Sequence, residues 1–153
     1  MIRLTFRRLG IEWETDGDDL VVPAEQRLEI EPDLGNAIPE IRVMPWPSFP
    51  TDLMSIAIVV ATQCRDSVLF HDWMYPSRMF FIDKLVAMGS HIVLCDPHRC
   101  IVQGPRRLRG EERIEAPEHA AQTVEDAHHV LLADLRQLVV ELIRESRDAD
   151  RFA

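Results

Sequence analysis

The residues best placed to do chemistry begin with one carboxylate, Asp52, at the end of "PWPSFPTD". Pro45, Pro47 and Pro50 fix φ along the approach to it, so ordering that approach loses little backbone entropy. Directly after Asp52, Leu53, Ile56, Ala57, Val60 and Ala61 recur at helical spacing. Two readings follow. A carboxylate ahead of a helix is commonly an N-cap, accepting hydrogen bonds from free backbone N–H groups. A carboxylate on so stiff a support also suits a base or ligand anchor, and a helix N-terminus favours an anion bound beside it. Arg78, on its own residues, reads as a surface helix arginine. Cys95, His98 and Cys100 in "CDPHRC" are metal-ligand types, but no second pair stands at finger spacing. "DPHR" reads as an ordinary turn, and no metal site is expected. His128 and His129 lack the carboxylate of an HExxH pattern and read as surface histidines. Arg106, Arg107 and Arg109 in "GPRRLRG" suit either a phosphate or a solvated loop.

The elements that must position these groups belong to a chain of 153 residues, enough for one domain with a real core. Its net charge of −9 argues against a non-specific nucleic-acid binder or a binder of anionic membranes. The charge is uneven: residues 41–110 carry 8 basic and 5 acidic side chains, while both flanks are strongly acidic. An anionic ligand belongs in that middle third. No signal-peptide core and no run of 18 apolar residues is present, and the three cysteines follow no secreted framework. A cytoplasmic protein with reduced thiols is the expectation.

Along the chain, Leu4, Phe6 and Leu9 before Gly10 read as the last turns of a helix with a glycine cap. Residues 11–22 read as a hairpin, "RLEIE" as a short strand, and 32–40 as a loop. "IRVM" is a strand, 52–63 a helix, "SVLFH" a strand, and 77–88 a helix capped by Ser77. "HIVLC" and "CIVQ" form another hairpin, so 41–103 runs βαβαββ and the fold class is α/β. "RRLGIEWETDGDDLVV" and "VAMGSHIVLCDPHRCIV" share a helix end, a glycine and a hairpin, an internal repeat whose first copy lacks its beginning. The chain thus reads as cut from something larger. In the tail, Val124, His128, Leu131, Leu135, Leu138 and Leu142 step by three and four, a long amphipathic helix after Pro117. It suits covering its own sheet or pairing with a partner chain.

"RVMPWPSFPTDLMSIAIVVATQC" through "CIVQGPRRLRG" resembles the enolpyruvyl transferase family, its nucleotide-sugar branch more than its shikimate branch. The resemblance is carried by Phe49-Pro50-Thr51-Asp52, by Arg78 at a spacing of 26, and by Met88-Gly89. Upstream, "VPAEQRLEIEPDLGNAIPEI" resembles the family too. The resemblance covers 1–117 as a partial domain and leaves 118–153 as a divergent C-terminal helix and tail. It implies βαβαββ units of an inside-out α/β barrel. It also implies enolpyruvyl transfer from phosphoenolpyruvate to UDP-N-acetylglucosamine in peptidoglycan biosynthesis, without a cofactor. Asp52 then matches an aspartate at the sugar hydroxyl that serves as its base. Met74 and Tyr75 match residues lining the nucleotide-sugar site, and Arg78 matches an arginine directed at the enolpyruvyl carboxylate. A forked guanidinium is well shaped for that task.

Two departures shape the expectation. Nothing here corresponds to the family's first half, with its cysteine-bearing loop and phosphate-binding cations. Cys64, Cys95 and Cys100, at a helix end and around a hairpin turn, do not inherit the loop cysteine's role. After Pro117 the family's second carboxylate-binding arginine falls on Ala120. The chain alone is therefore expected to be inactive, and a non-catalytic module that binds a nucleotide sugar or a partner through 118–147 is the alternative. The RNA 3′-phosphate cyclases, distant relatives in fold, are disfavoured by the acidic charge.

Overall fold

The structure, a computed structural model, describes residues 1–17 and 19–109. Phe6 and Leu9 bury the inner face of the first helix, α1 (Ile2–Arg8), which turns out through Gly10 at φ 77°. A Cβ on Gly10 would lie 2.6 Å from the Glu29 backbone nitrogen, so both the turn and the close approach require glycine. The hairpin that follows is small: β1 (Glu14–Asp16) pairs antiparallel with β2 (Asp19–Val21), and Thr15 stands opposite Leu20.

The second part is the βαβαββ unit. β3 (Glu40–Arg42) leads through the proline-rich turn to a 3₁₀ turn, Thr51–Leu53, and then to α2 (Met54–Ala61). β4 (Asp66–His71) is followed by a 3₁₀ segment, Pro76–Phe81, running into α3 (Ile82–Ala87). β5 (His91–Asp96) and β6 (Arg99–Gly104) close it as a hairpin. The sheet order is β3-β4-β6-β5, with β3 parallel to β4 and the other pairs antiparallel. Register sets Phe70 opposite Cys100 and Val68 opposite Val102, all buried. Alternation sends Leu69, Ile101 and Val93 to the other face, where Val93 is exposed. α2 packs on β4 and β6, and α3 on β5, so the helices share one face of the sheet. α2 is apolar nearly all round and is enclosed. The core continues through Phe6, Leu9, Ile11 and Trp13.

The two copies of the repeat both appear: α1, Gly10 and β1–β2 echo α3, Gly89 (φ 96°) and β5–β6. Three expectations need correction. Residues 27–31 form no strand, only a bridge between Glu29 and Arg65. Their backbone groups are used otherwise: the Leu28 N–H donates to the Gly10 carbonyl, and the Leu28 carbonyl accepts from Arg65 N–H. The cap position before the 3₁₀ segment is Tyr75, not Ser77. Asp52 lies inside the 3₁₀ turn, where Pro50 holds the cap position and no side chain caps. The expected tail helix, Ala120, His128 and His129 lie outside the described residues. Among the described residues no helix is long and apolar enough to cross a membrane.

Candidate functional site

The turn that carries Asp52 is fixed from below. Phe49 is buried and meets the Phe6 ring edge-on at 6.1 Å, fastening the proline-rich turn to α1. The Met44 N–H donates to the Phe49 carbonyl and the Val43 N–H to the His71 carbonyl, which joins the turn to the ends of β3 and β4. Leu53 is buried immediately after Asp52. The Asp52 side chain, with no cap to make, points outward and is 79 % exposed.

Its partner comes from 26 residues further on. Arg78 Nη2 donates to Asp52 Oδ1 at 2.7 Å, and Arg78 Nη1 donates to the Thr51 carbonyl at 3.4 Å. The guanidinium carbon sits 5.3 Å from the centroid of the Tyr75 ring, a cation–π contact. Asp52, Tyr75 and Arg78 are therefore in direct contact, and Arg78 is held at three points. Met74 reaches the same place through its backbone, its N–H donating to Asp72 Oδ1 at 3.0 Å. Trp73 ties the loop to the end of β3 by donating from Nε1 to the Val43 carbonyl at 2.9 Å, and Trp46 stands exposed on the proline-rich turn. A carboxylate, a forked cation and an aromatic face thus share one open surface beside the start of a helix. Such a surface can accept a proton from a hydroxyl and orient an anion.

Thr51 stood in the sequence only as part of the Phe49-Pro50-Thr51-Asp52 motif, with no role of its own, and Asp72 was not singled out. Asp72 follows β4, is fully buried, and accepts from Thr51 Oγ1 at 2.7 Å and from the Met74 and Tyr75 N–H groups at 3.0 and 3.2 Å. A carboxylate just past a strand end, with a loop two residues on, is the sequence signal for this kind of turn.

The other chemistry-bearing groups fall elsewhere. Cys100 is buried in the core and Cys95 is exposed, while the His98 Nδ1–H donates to the Asp72 carbonyl at 2.8 Å. The three side chains of "CDPHRC" are thus dispersed. Burial pushes the thiols of Cys64 and Cys100 up to about 12. Arg106 Nη2 donates to His91 Nδ1 at 2.8 Å. A concavity of about 220 Å³ lined by Ile30, Asn36 and Asp66, among others, lies at the opposite end of β4 from Asp72.

No protein-family model matches the chain. Among curated proteins it is similar to the UDP-N-acetylglucosamine 1-carboxyvinyltransferase of Bradyrhizobium diazoefficiens, 59% identical over 109 residues, covering 71% of this chain and 25% of the relative. The enzyme of that name from Treponema denticola is 50% identical over 113 residues, covering 74% and 26%. That of Borreliella burgdorferi is 51% identical over 110 residues, covering 72% and 26%. Among solved structures, the enolpyruvyl transferase NikO from Streptomyces tendae shares the fold with a TM-score of 0.61 at 17% identity, over 82% of this chain and 27% of that one. The chain spans about a quarter of the length of these curated relatives. The matched stretch, about seven tenths of this chain, belongs to the enolpyruvyl transferase family.

Proposed function

We propose that the Asp52–Arg78 surface is part of a site that binds UDP-N-acetylglucosamine and transfers to it the enolpyruvyl group of phosphoenolpyruvate. The observation that carries the reading is the 2.7 Å bond between Arg78 Nη2 and Asp52 Oδ1 on an exposed shelf. Without substrate the two groups satisfy one another. With substrate, Asp52 accepts the proton of the sugar hydroxyl and the Arg78 fork turns to the enolpyruvyl carboxylate, with Met74 and Tyr75 beside the sugar nucleotide. An exposed ion pair is worth at most about 1 kcal/mol, so a substrate can displace it.

Transfer adds the sugar oxygen to C2 of phosphoenolpyruvate while C3 takes up a proton. Phosphate then leaves C2 as C3 gives a proton back. A proton donor for C3 and cations for the phosphate are needed besides Asp52 and Arg78. Relatives of which the matched stretch is only 25% bear the name of the full reaction. For this chain the reading therefore expects nucleotide-sugar binding, with turnover when those further groups are supplied. It extends to a cytoplasmic role in peptidoglycan synthesis and to βαβαββ units of an inside-out barrel.

Trp46 and Trp73, which flank the surface, report on it directly. Titration with UDP-N-acetylglucosamine is expected to give a saturable fluorescence change, and Asp52→Ala to weaken it about tenfold, the loss of one hydrogen bond to a charged group. No saturable change in the native chain, or an unaltered Asp52→Ala titration, would overturn the reading. Phosphate release from phosphoenolpyruvate plus the nucleotide sugar then measures turnover.

A further inference from the structure

We propose that Asp72 is a positioning residue, whose buried carboxylate latches the Thr51–Asp52 turn to the Met74–Arg78 loop and so fixes the Asp52–Arg78 geometry. The inference rests on the reading of that surface as a nucleotide-sugar site, and it assigns the residue that holds the surface in shape.

Asp72 is itself fixed from the sheet side. Its N–H donates to the His98 carbonyl at 2.8 Å, and its own carbonyl accepts from His98 Nδ1 at 2.8 Å. The ring must donate here, because a carbonyl only accepts, so the proton is on Nδ1. With its backbone pinned to the β5–β6 turn, Asp72 presents its carboxylate as a stationary post. Oδ1 takes the N–H groups of Met74 and Tyr75, which sets the course of the loop toward Arg78. Oδ2 takes the Thr51 hydroxyl at 2.7 Å, which sets the turn carrying Asp52. The connections then close a ring. Asp72 holds Thr51, Thr51 is bonded covalently to Asp52, Asp52 holds Arg78, Arg78 lies over Tyr75, and Tyr75 returns to Asp72.

The chemistry of the post is informative. A carboxylate with no exposed surface is costly unless its oxygens are satisfied, and here the partners are a hydroxyl and two amides. A neutral apolar residue would fill the space at less expense but would leave both arms unattached. Thr51 supplies a link in the ring that can be cut without touching Asp52, Arg78 or the loop backbone. Valine keeps its β-branched shape and loses the hydroxyl, whereas serine keeps the hydroxyl.

The test uses the whole chain with Thr51→Val, Thr51→Ser and Asp72→Asn. The first readout needs no ligand: the Nη ¹⁵N–¹H signals of Arg78, which stay resolved only while the guanidinium is held. They are expected to be resolved in the native chain and in Thr51→Ser, and averaged in Thr51→Val. If Thr51→Val melts lower but keeps resolved Arg78 signals, Asp72 is merely structural and the proposal fails. Averaged signals in the native chain overturn it as well, since no fixed geometry would exist. If Asp72→Asn does not fold, the Thr51 pair still decides.

The second readout is UDP-N-acetylglucosamine affinity, expected to fall about tenfold in Thr51→Val and to stay within about twofold in Thr51→Ser. Equal affinity in native and Thr51→Val overturns the latch. A native chain that binds no UDP-N-acetylglucosamine overturns the reading of the surface instead, while the Arg78 signals still decide the latch.

Discussion

Asp52 and Asp72 stand on the two arms of one surface and meet opposite surroundings. Asp52 is exposed and answers a single charged partner, Arg78. Asp72 is sealed from solvent and answers three neutral donors. Screening by water makes the first interaction weak and easily exchanged. Burial makes the second costly to abandon, because the Asp72 carboxylate has no exposed surface and would lose three hydrogen bonds at once. The difference separates two tasks that one residue type can perform. Under the proposed function, the carboxylate that trades partners is at the surface, and the one that keeps them is inside.

The largest effect expected from breaking this comparison is at Asp72. Asp72→Ala strands a hydroxyl and two amides, so a loss of about 3 kcal/mol or more is expected. That corresponds to a fall in Tm of about 10 °C or more in a domain of this size. Thermal unfolding checks it, and a fall of only one or two degrees would show that the donors find other partners. The next effect is at Arg78. Arg78→Lys keeps the charge but loses the fork, the 3.4 Å contact to the Thr51 carbonyl and the planar contact with Tyr75. Affinity for UDP-N-acetylglucosamine or phosphoenolpyruvate is expected to fall at least about fivefold, with Tm unchanged within about 2 °C, the range of an exposed pair. A lysine variant with native affinity would mean that charge alone is used.

The same contrast governs what could be read from the chain. Asp52 was legible because three prolines and a helical apolar pattern converge on it. Arg78 was legible only through its spacing in a resemblance, since periodicity alone makes it a surface residue. Asp72 carries no such pattern. Its importance comes from Thr51, 21 residues away, and from His98, 26 residues away, and contacts of that range are set by packing and register. The βαβαββ order was legible because each element has its own period and glycine punctuation. The strand expected at 27–31 was not found, because alternation cannot reveal that Leu28 has already committed its backbone to Gly10 and Arg65. The N-cap role expected of Asp52 failed for a local reason: a 3₁₀ turn begins the helix one turn early and moves the cap to Pro50.

Glu40, on β3, lies between the two aspartates in exposure and gives the smallest and most graded prediction. Its carboxylate accepts from the Arg42 guanidinium at 2.9 Å and from His71 Nδ1 at 3.0 Å. Partial burial alone would raise its pKa from the ordinary 4.5, but the hydrogen bonds and charges of Arg42 and His71 outweigh it, and the net shift is downward. A carboxyl that binds its proton less readily in the folded chain than in the unfolded one stabilises the fold above the unfolded value. That contribution is lost as pH falls below 4.5 through the folded value. Glu40→Gln is therefore expected to flatten the loss of stability on acidification across that window, by a small amount because the group is partly exposed. Near neutral pH it is expected to lower stability slightly. Denaturant unfolding of the two chains at pH 7 and below pH 4.5 measures both parts. Were the two curves to remain parallel throughout, the Arg42 and His71 contacts would contribute no more than an exposed pair screened by water, and Glu40 would join Asp52 on the exchangeable side of the comparison.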